Sequence, residues 1–258
     1  MSKKSHQTVL TAFFLAMLSI TLPTQAELMG SWSADGHTND ALGENNGTLI
    51  GDATYAHGKF GQAFDFDGDE DGVHLGYELD TTTGFSFSSW VNPRSFSSSS
   101  MIFNNEGSFE ISLLHGKLSW AIKTDTLPGS WFWVNTGITF ELNEWQFVGW
   151  SYDGSAVKTY DETGDETSSI SYNGLIVGGS SVRIGARSNN NASFDGFIDE
   201  VKLYNDIKSG TELSSLALNN NLPSIEKVSS PTLHGAIVLF GLLLVVIRKR
   251  EYCKTRMR

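Results

Sequence analysis

Short runs of alternating apolar and polar residues, each closed by a glycine, a proline or an Asp-Gly pair, recur along most of this chain and leave little choice of architecture. Residues 63–66 stop at Gly68 before 73–75, and 85–91 alternates up to Pro93. Residues 109–114 give way at Gly116 to 117–122, 145–152 turns at Asp153-Gly154 into 157–160, and 182–185 and 197–204 follow. A period of two places successive side chains on opposite faces of a strand, so each run buries one face. Many such runs with turn signals between them predict an all-β fold, a two-sheet antiparallel sandwich. Before residues 212–218, enough for one short turn of helix, no segment carries a long helical period. No repeat is visible, which points to a single domain. Residues 145–152 (WQFVGWSY) are apolar on both alternating faces. That marks either a central strand covered on both sides or one whose outer face floors a groove.

Charge narrows the partners. Residues 27–222 hold 9 basic and 27 acidic side chains, a net of −18, whereas 223–258 holds 7 basic and 2 acidic ones. A body that acidic is repelled by nucleic-acid phosphates and anionic lipid surfaces, which excludes nucleic acid as a partner. It also suits a hard cation such as Ca²⁺. The one cysteine, Cys253, lies in the basic tail, so the body has no intramolecular disulfide and no thiolate metal site.

Both ends carry targeting features. Residues 1–26 read as a signal peptide: Lys3 and Lys4, then a 14-residue apolar stretch at 9–22, then Thr24-Gln25-Ala26 before a cut at Glu27. Read as a membrane helix, the apolar stretch would reach only ~21 Å of a ~30 Å hydrocarbon core. After a linker at 211–227, residues 228–247 are uncharged and read as a transmembrane helix, followed by the basic tail 248–258 with Arg248-Lys249-Arg250. Basic residues stay cytoplasmic, so both ends predict an exported, membrane-anchored chain with its body outside the cytoplasm, in the periplasm or at the cell surface. The tail resembles the PEP-CTERM type of bacterial sorting signal, with Val228-Ser229-Ser230-Pro231, the apolar run 233–247 and the Arg-Lys-Arg cluster as matching pieces. That resemblance implies a sorting protease as a partner; a permanent anchor is the other reading.

The body resembles the laminin-G-like, concanavalin-A-like jelly-roll domains of bacteria across about residues 27–210. The matching stretches are 30–36 (GSWSADG) with Asp40 and Asn46-Gly47, 58–68 (GKFGQAFDFDG), 85–91, 145–148 with Tyr152-Asp153-Gly154, and 183–187 with 194–204 (FDGFIDEVKLY). The resemblance implies a structural Ca²⁺ that ties the loop after the first strand to the closing strand, here through Asp35, Asn39, Asp40 and Asp199. Without an ion, Asp199 would cap backbone N–H groups or pair with an arginine such as Arg183. A weaker cation candidate is Asp67, Asp69, Asp71 and Glu78, which fit the spacing of an EF-hand loop but are flanked by strand patterns rather than helices.

For sugar recognition, Trp131 and Trp133 fall on one side of any strand and either complete the core or offer stacking faces, with Asn104, Asn105, Glu106, Arg187, Asn189, Asn190 and Asn191 in loops that share the rim. Glycosidases of this fold carry Glu-x-Asp-x-Glu on one strand face; here Glu162-Thr163-Gly164-Asp165-Glu166 breaks that spacing, and no catalytic residue is assigned. The expectation is a non-catalytic module that binds a glycan or extracellular matrix polymer or serves adhesion. A structural matrix or envelope component without a small ligand, and a glycoside hydrolase, are the alternatives.

Overall fold

The computed structural model describes residues 28–76, 84–126, 131–189 and 192–218. The chain divides into two compact units, Met1–Ala217 and Leu218–Arg258. The signal-peptide, transmembrane and basic-tail expectations all fall outside the described residues, as do Glu78, Asn190 and Asn191.

Along the first unit run β1 (Leu28–Trp32), β2 (Thr48–Ile50), β3 (Thr54–His57), β4 (Gln62–Asp67), β5 (Gly72–His74), β6 (Phe85–Pro93), β7 (Ser100–Asn105) and β8 (Phe109–Leu114). They are followed by β9 (Lys117–Ile122), β10 (Val134–Thr139), β11 (Gln146–Tyr152), β12 (Ala156–Tyr160), β13 (Glu166–Ser171), β14 (Val182–Ile184), β15 (Asp195–Tyr204) and the helix α1 (Gly210–Leu218). The strands form two antiparallel sheets. One has the order β13-β12-β11-β6-β15-β4-β3 with β1 also on β15; the other has the order β10-β9-β8-β7-β14-β5-β2. This is the expected all-β two-sheet sandwich.

Alternation decides which side chains meet between the sheets. Phe85, Phe87 and Val91 of β6 and Val148, Trp150 and Tyr152 of β11 face Phe109, Ile111 and Leu113 of β8 and Phe103 of β7 in one continuous core. Phe85 lies 4.8 Å and Phe109 6.2 Å from Trp150, ring centre to ring centre, and Phe103 stacks on Phe109 at 5.8 Å. Removing one such ring costs about 3–5 kcal/mol. The β8–β9 hairpin closes through His115 (φ 50°) and Gly116 (φ 77°), the two left-handed residues of a tight hairpin turn.

The outer face of the eight-stranded sheet is covered by α1. Trp90, Phe147, Tyr160 and Tyr204 pack with Leu213 and Ala217 in a second apolar cluster. Phe147 alternates with Val148 and Trp150, so β11 is a central strand with apolar cover on both sides, the first of the two readings of residues 145–152. Ser209 caps α1 reciprocally: the Glu212 N–H donates to Ser209 Oγ (3.3 Å) and the Ser209 N–H to Glu212 Oε2 (2.8 Å). The helix begins earlier than one turn at 212–218 because this cap starts it, and Leu213 and Ala217 anchor it.

β15 is the hub of that sheet. Its first half pairs with β4 and its second half with β1, while β6 runs along the other side. The register shifts between Asp199 and Lys202, and Glu200 takes φ 51°, so a bulge sits where the partner strand changes.

Candidate functional site

The seven-stranded sheet carries a polar row across its outer face. Glu110 sits between Phe109 and Ile111, which enter the core, and so points away from it. Its cross-strand partner is Asn104 on β7, Asn104 pairs with Arg183 on β14, Arg183 with His74 on β5, and His74 with Thr48 on β2. Asn104 Nδ2 donates to Glu110 Oε1 at 2.9 Å. From the loop after β14, Arg187 Nη2 reaches Glu110 Oε1 (3.0 Å) and Glu106 Oε1 (2.7 Å). Ser188 Oγ donates to Glu106 Oε2 at 2.9 Å, and Arg183 Nη1 to the Arg187 carbonyl at 3.1 Å.

The two carboxylates sit in different environments. Glu110 is fully buried, and burial pushes its carboxyl up to about 7, with the Glu106 charge adding to it and Arg187 and Asn104 opposing. Burial also raises Glu106, but its bonds from Arg187 and Ser188 outweigh that and hold it below the ordinary glutamate range. Glu110 Oε2, Asn104 Oδ1 and Arg187 Nε are buried with no hydrogen-bond partner. All three lie beneath the surface, so the charged groups beside Glu110 that solvent reaches are the half-buried Glu106 and Arg187.

Trp131 and Trp133 stand half-buried just ahead of β10, in neither apolar cluster, with Phe132 between them 55% exposed. They therefore do not complete the second sheet's core. Val134 pairs with Trp120, so extending that register by one residue sets position 133 opposite Ala121, the neighbour of Glu110 in the row. Of the rim residues, Glu106 and Arg187 meet directly and Asn189 is exposed nearby in sequence. Asn105 is fully buried, opposite Phe109 on the core side of its strand and beneath Gly179. Sequence reasoning missed Glu110 and His74. A lone glutamate between Phe109 and Ile111 was the available signal, since a charge within an alternating strand must face either water or a partner.

The acidic residues expected to bind cations do not gather as one cluster. Asp40 accepts from the Ser31 N–H (2.8 Å) and the Asn45 N–H (3.2 Å), which staples its loop to β1. Asn39 is exposed. Asp35 accepts from the Gln62 N–H at 2.9 Å. Asp199, at the β15 bulge and fully buried, accepts from the Phe60 N–H at 3.0 Å, while its Oδ1 has no partner. Asp199 thus caps a backbone group and does not pair with Arg183, which belongs to the other sheet. Burial lifts its carboxyl to about 7, with the Glu200 and Asp35 charges adding to the rise. A buried carboxylate oxygen without a donor, beside a second carboxylate, has the chemistry of a cation ligand.

In the β4–β5 turn, Asp71 accepts from the Asp52 N–H (3.0 Å) and the Asp67 N–H (2.9 Å), and the carboxylates of Asp52, Asp67 and Asp71 lie within 4.8 Å of one another. Burial raises the Asp71 carboxyl, and the neighbouring Asp67 and Asp52 charges add to that. Strands rather than helices flank this turn, and Asp69 is exposed. Glu166 of the 162–166 turn pairs with Lys158 at 2.9 Å.

An antiparallel two-sheet sandwich with a polar row on one sheet defines a class of β domain. Its sequence matches the Laminin_G_3 model, described as the Concanavalin A-like lectin/glucanases superfamily, over residues 67–214, and the chain belongs to that family. No curated protein matches it. Among solved structures, it is similar to domain 4 of AbnA, a GH43 extracellular arabinanase from Geobacillus stearothermophilus, in complex with arabinotriose. The identity is 24% and the TM-score 0.62, over 74% of this chain and 98% of that one. The binding domain of Paraclostridial Mosquitocidal Protein 1 is 19% identical with a TM-score of 0.59, over 73% of this chain and 51% of that one. The binding domain of Botulinum Neurotoxin DC in complex with SialylT is 14% identical with a TM-score of 0.55, over 75% and 52%. The chain thus spans about half the length of each toxin domain. At these identities the likeness shows the fold.

Proposed function

We propose that this chain is a non-catalytic glycan-binding module and that its sugar lies on the outer face of the seven-stranded sheet. The observation that carries the reading is the polar row in which half-buried Glu106 and Arg187 stand over Asn104 and Glu110, flanked by half-buried Trp133. Sugars present hydroxyls to planar polar side chains and an apolar ring face to an aromatic ring, and this face offers both. The fold relatives solved with arabinotriose and with SialylT support the same class of ligand. Titration with a panel of oligosaccharides tests it: binding is expected to weaken about tenfold in Trp133→Ala, the loss typical of an aromatic anchor. Release of reducing ends during the titration would contradict the non-catalytic reading.

Ca²⁺ is the ion that fits Asp199 and Asp35. Their carboxylates would hold it beside the 58–62 loop, and Asp40, whose oxygens already serve backbone N–H groups, contributes less. The ion supplies charge neutralisation that lets Asp199 stay ionised while buried, which fixes the loop against β15. The reading also places the body outside the cytoplasm, exported by residues 1–26 and held by 228–247 with its basic residues inside. Support comes from the apolar runs and charge asymmetry of the sequence. Among the described residues no helix is long and apolar enough to cross a membrane.

A further inference from the structure

We infer that the outer face of the seven-stranded sheet selects uncharged glycans, reading them through hydroxyl groups, and rejects glycans that carry carboxylates. The inference rests on the glycan-binding reading and names the ligand class for the same face. Three observations carry it. The first is that the positive charge here is already committed. One Arg187 nitrogen bridges both Glu106 and Glu110, and Arg183 donates to the Arg187 carbonyl. A ligand carboxylate is recognised best by a guanidinium that opens both arms to it, and neither arginine is arranged that way.

The second is that the side chains reaching the surface here, Glu106 and Arg187, neutralise each other through their 2.7 Å pair, so a ligand meets hydrogen-bonding groups and no net positive charge. The third is charge. A ligand carboxylate would stand next to Glu106, which is held ionised, on a body whose net charge is −18. Like charges brought together at an interface oppose binding and suppress the wrong partner.

The test is an array on which each neutral oligosaccharide sits beside its counterpart with one ring CH₂OH oxidised to a carboxylate, probed with the full chain and with Glu106→Gln. Acidic counterparts are expected to bind at least about tenfold more weakly than their neutral partners, and Glu106→Gln to narrow that gap by removing the negative charge beside the ligand. Thermal melting of the variant confirms that it is folded. Equal or tighter binding of the acidic members, or a gap unchanged in folded Glu106→Gln, overturns this inference and leaves the glycan reading standing. Binding of neither class overturns both.

Discussion

Glu110 holds a proton near neutrality because Phe109 and Ile111 force its strand position and the surrounding side chains shut water out. Its folded value of about 7 lies above the ordinary glutamate range, so between about 4.5 and 7 the folded chain keeps a proton that the unfolded chain has released. Stability therefore falls as pH rises through that window and levels off above it. Asp199, raised to about 7 by burial, contributes with the same sign. Glu110→Gln is expected to recover about 1–3 kcal/mol of that decline and flatten the curve of melting temperature against pH between 5 and 8. An unaltered curve would mean that Glu110 is not the group responsible. Asp199 makes a second residue-level expectation: Ca²⁺ raises the melting point of the wild-type chain at pH 7.5, EDTA reverses the rise, and Asp199→Asn abolishes it. A calcium shift that persists in Asp199→Asn would place the ion elsewhere.

Among the elements, α1 and β15 show how local chemistry and tertiary packing divide the work. The capping box of Ser209 and Glu212 starts the helix, but nine residues are too few to hold a helix alone, and the apolar contacts of Leu213 and Ala217 retain it. Lys202 is buried beneath it, paired with Glu200 at 2.8 Å and donating to the Leu216 carbonyl at 3.1 Å. Leu213→Ala is expected to cost about 2–5 kcal/mol, read from denaturant unfolding. Lys202→Ala, which strands a buried Glu200 charge, is expected to cost about 3–5 kcal/mol. A loss below 1 kcal/mol in both would mean that the helix is not docked as described.

At this scale the strands were largely legible in the sequence, because an alternating run such as residues 109–114 can bury its apolar face in only one way. The stretch 145–152 was legible as two-faced, yet which cover it has depends on α1, which begins only at Gly210. The candidate site was legible only in part. Glu106 and Arg187 lie in Gly- and Asn-rich loops, where polar residues suggest a rim, and the structure joins them. Glu110 and His74 owe their place to the pairings β8–β7–β14–β5, and no local pattern encodes which strand lies beside which. Asn105 shows the reverse: alternation from Phe103 turns it inward opposite Phe109, although an asparagine next to a glycine-bearing turn reads as a rim residue.

For the whole molecule, the two faces of the sandwich have separate tasks. The outer face of the eight-stranded sheet is occupied by α1, which packs the chain's own apolar residues against it. The outer face of the seven-stranded sheet keeps a polar row with half-buried Glu106 and Arg187 within reach of solvent. An acidic body repels anionic surfaces, so uncharged ligands approach it without electrostatic opposition. Mapping a bound neutral oligosaccharide by nuclear magnetic resonance on the labelled full chain tests the placement most directly. The account expects shifted signals from the Trp133 indole, the Arg187 side chain and residues 104–110, with the core unchanged. Shifts confined to Trp90, Phe60 and the rest of the eight-stranded sheet's outer face, or no shifts at saturating sugar, would contradict it.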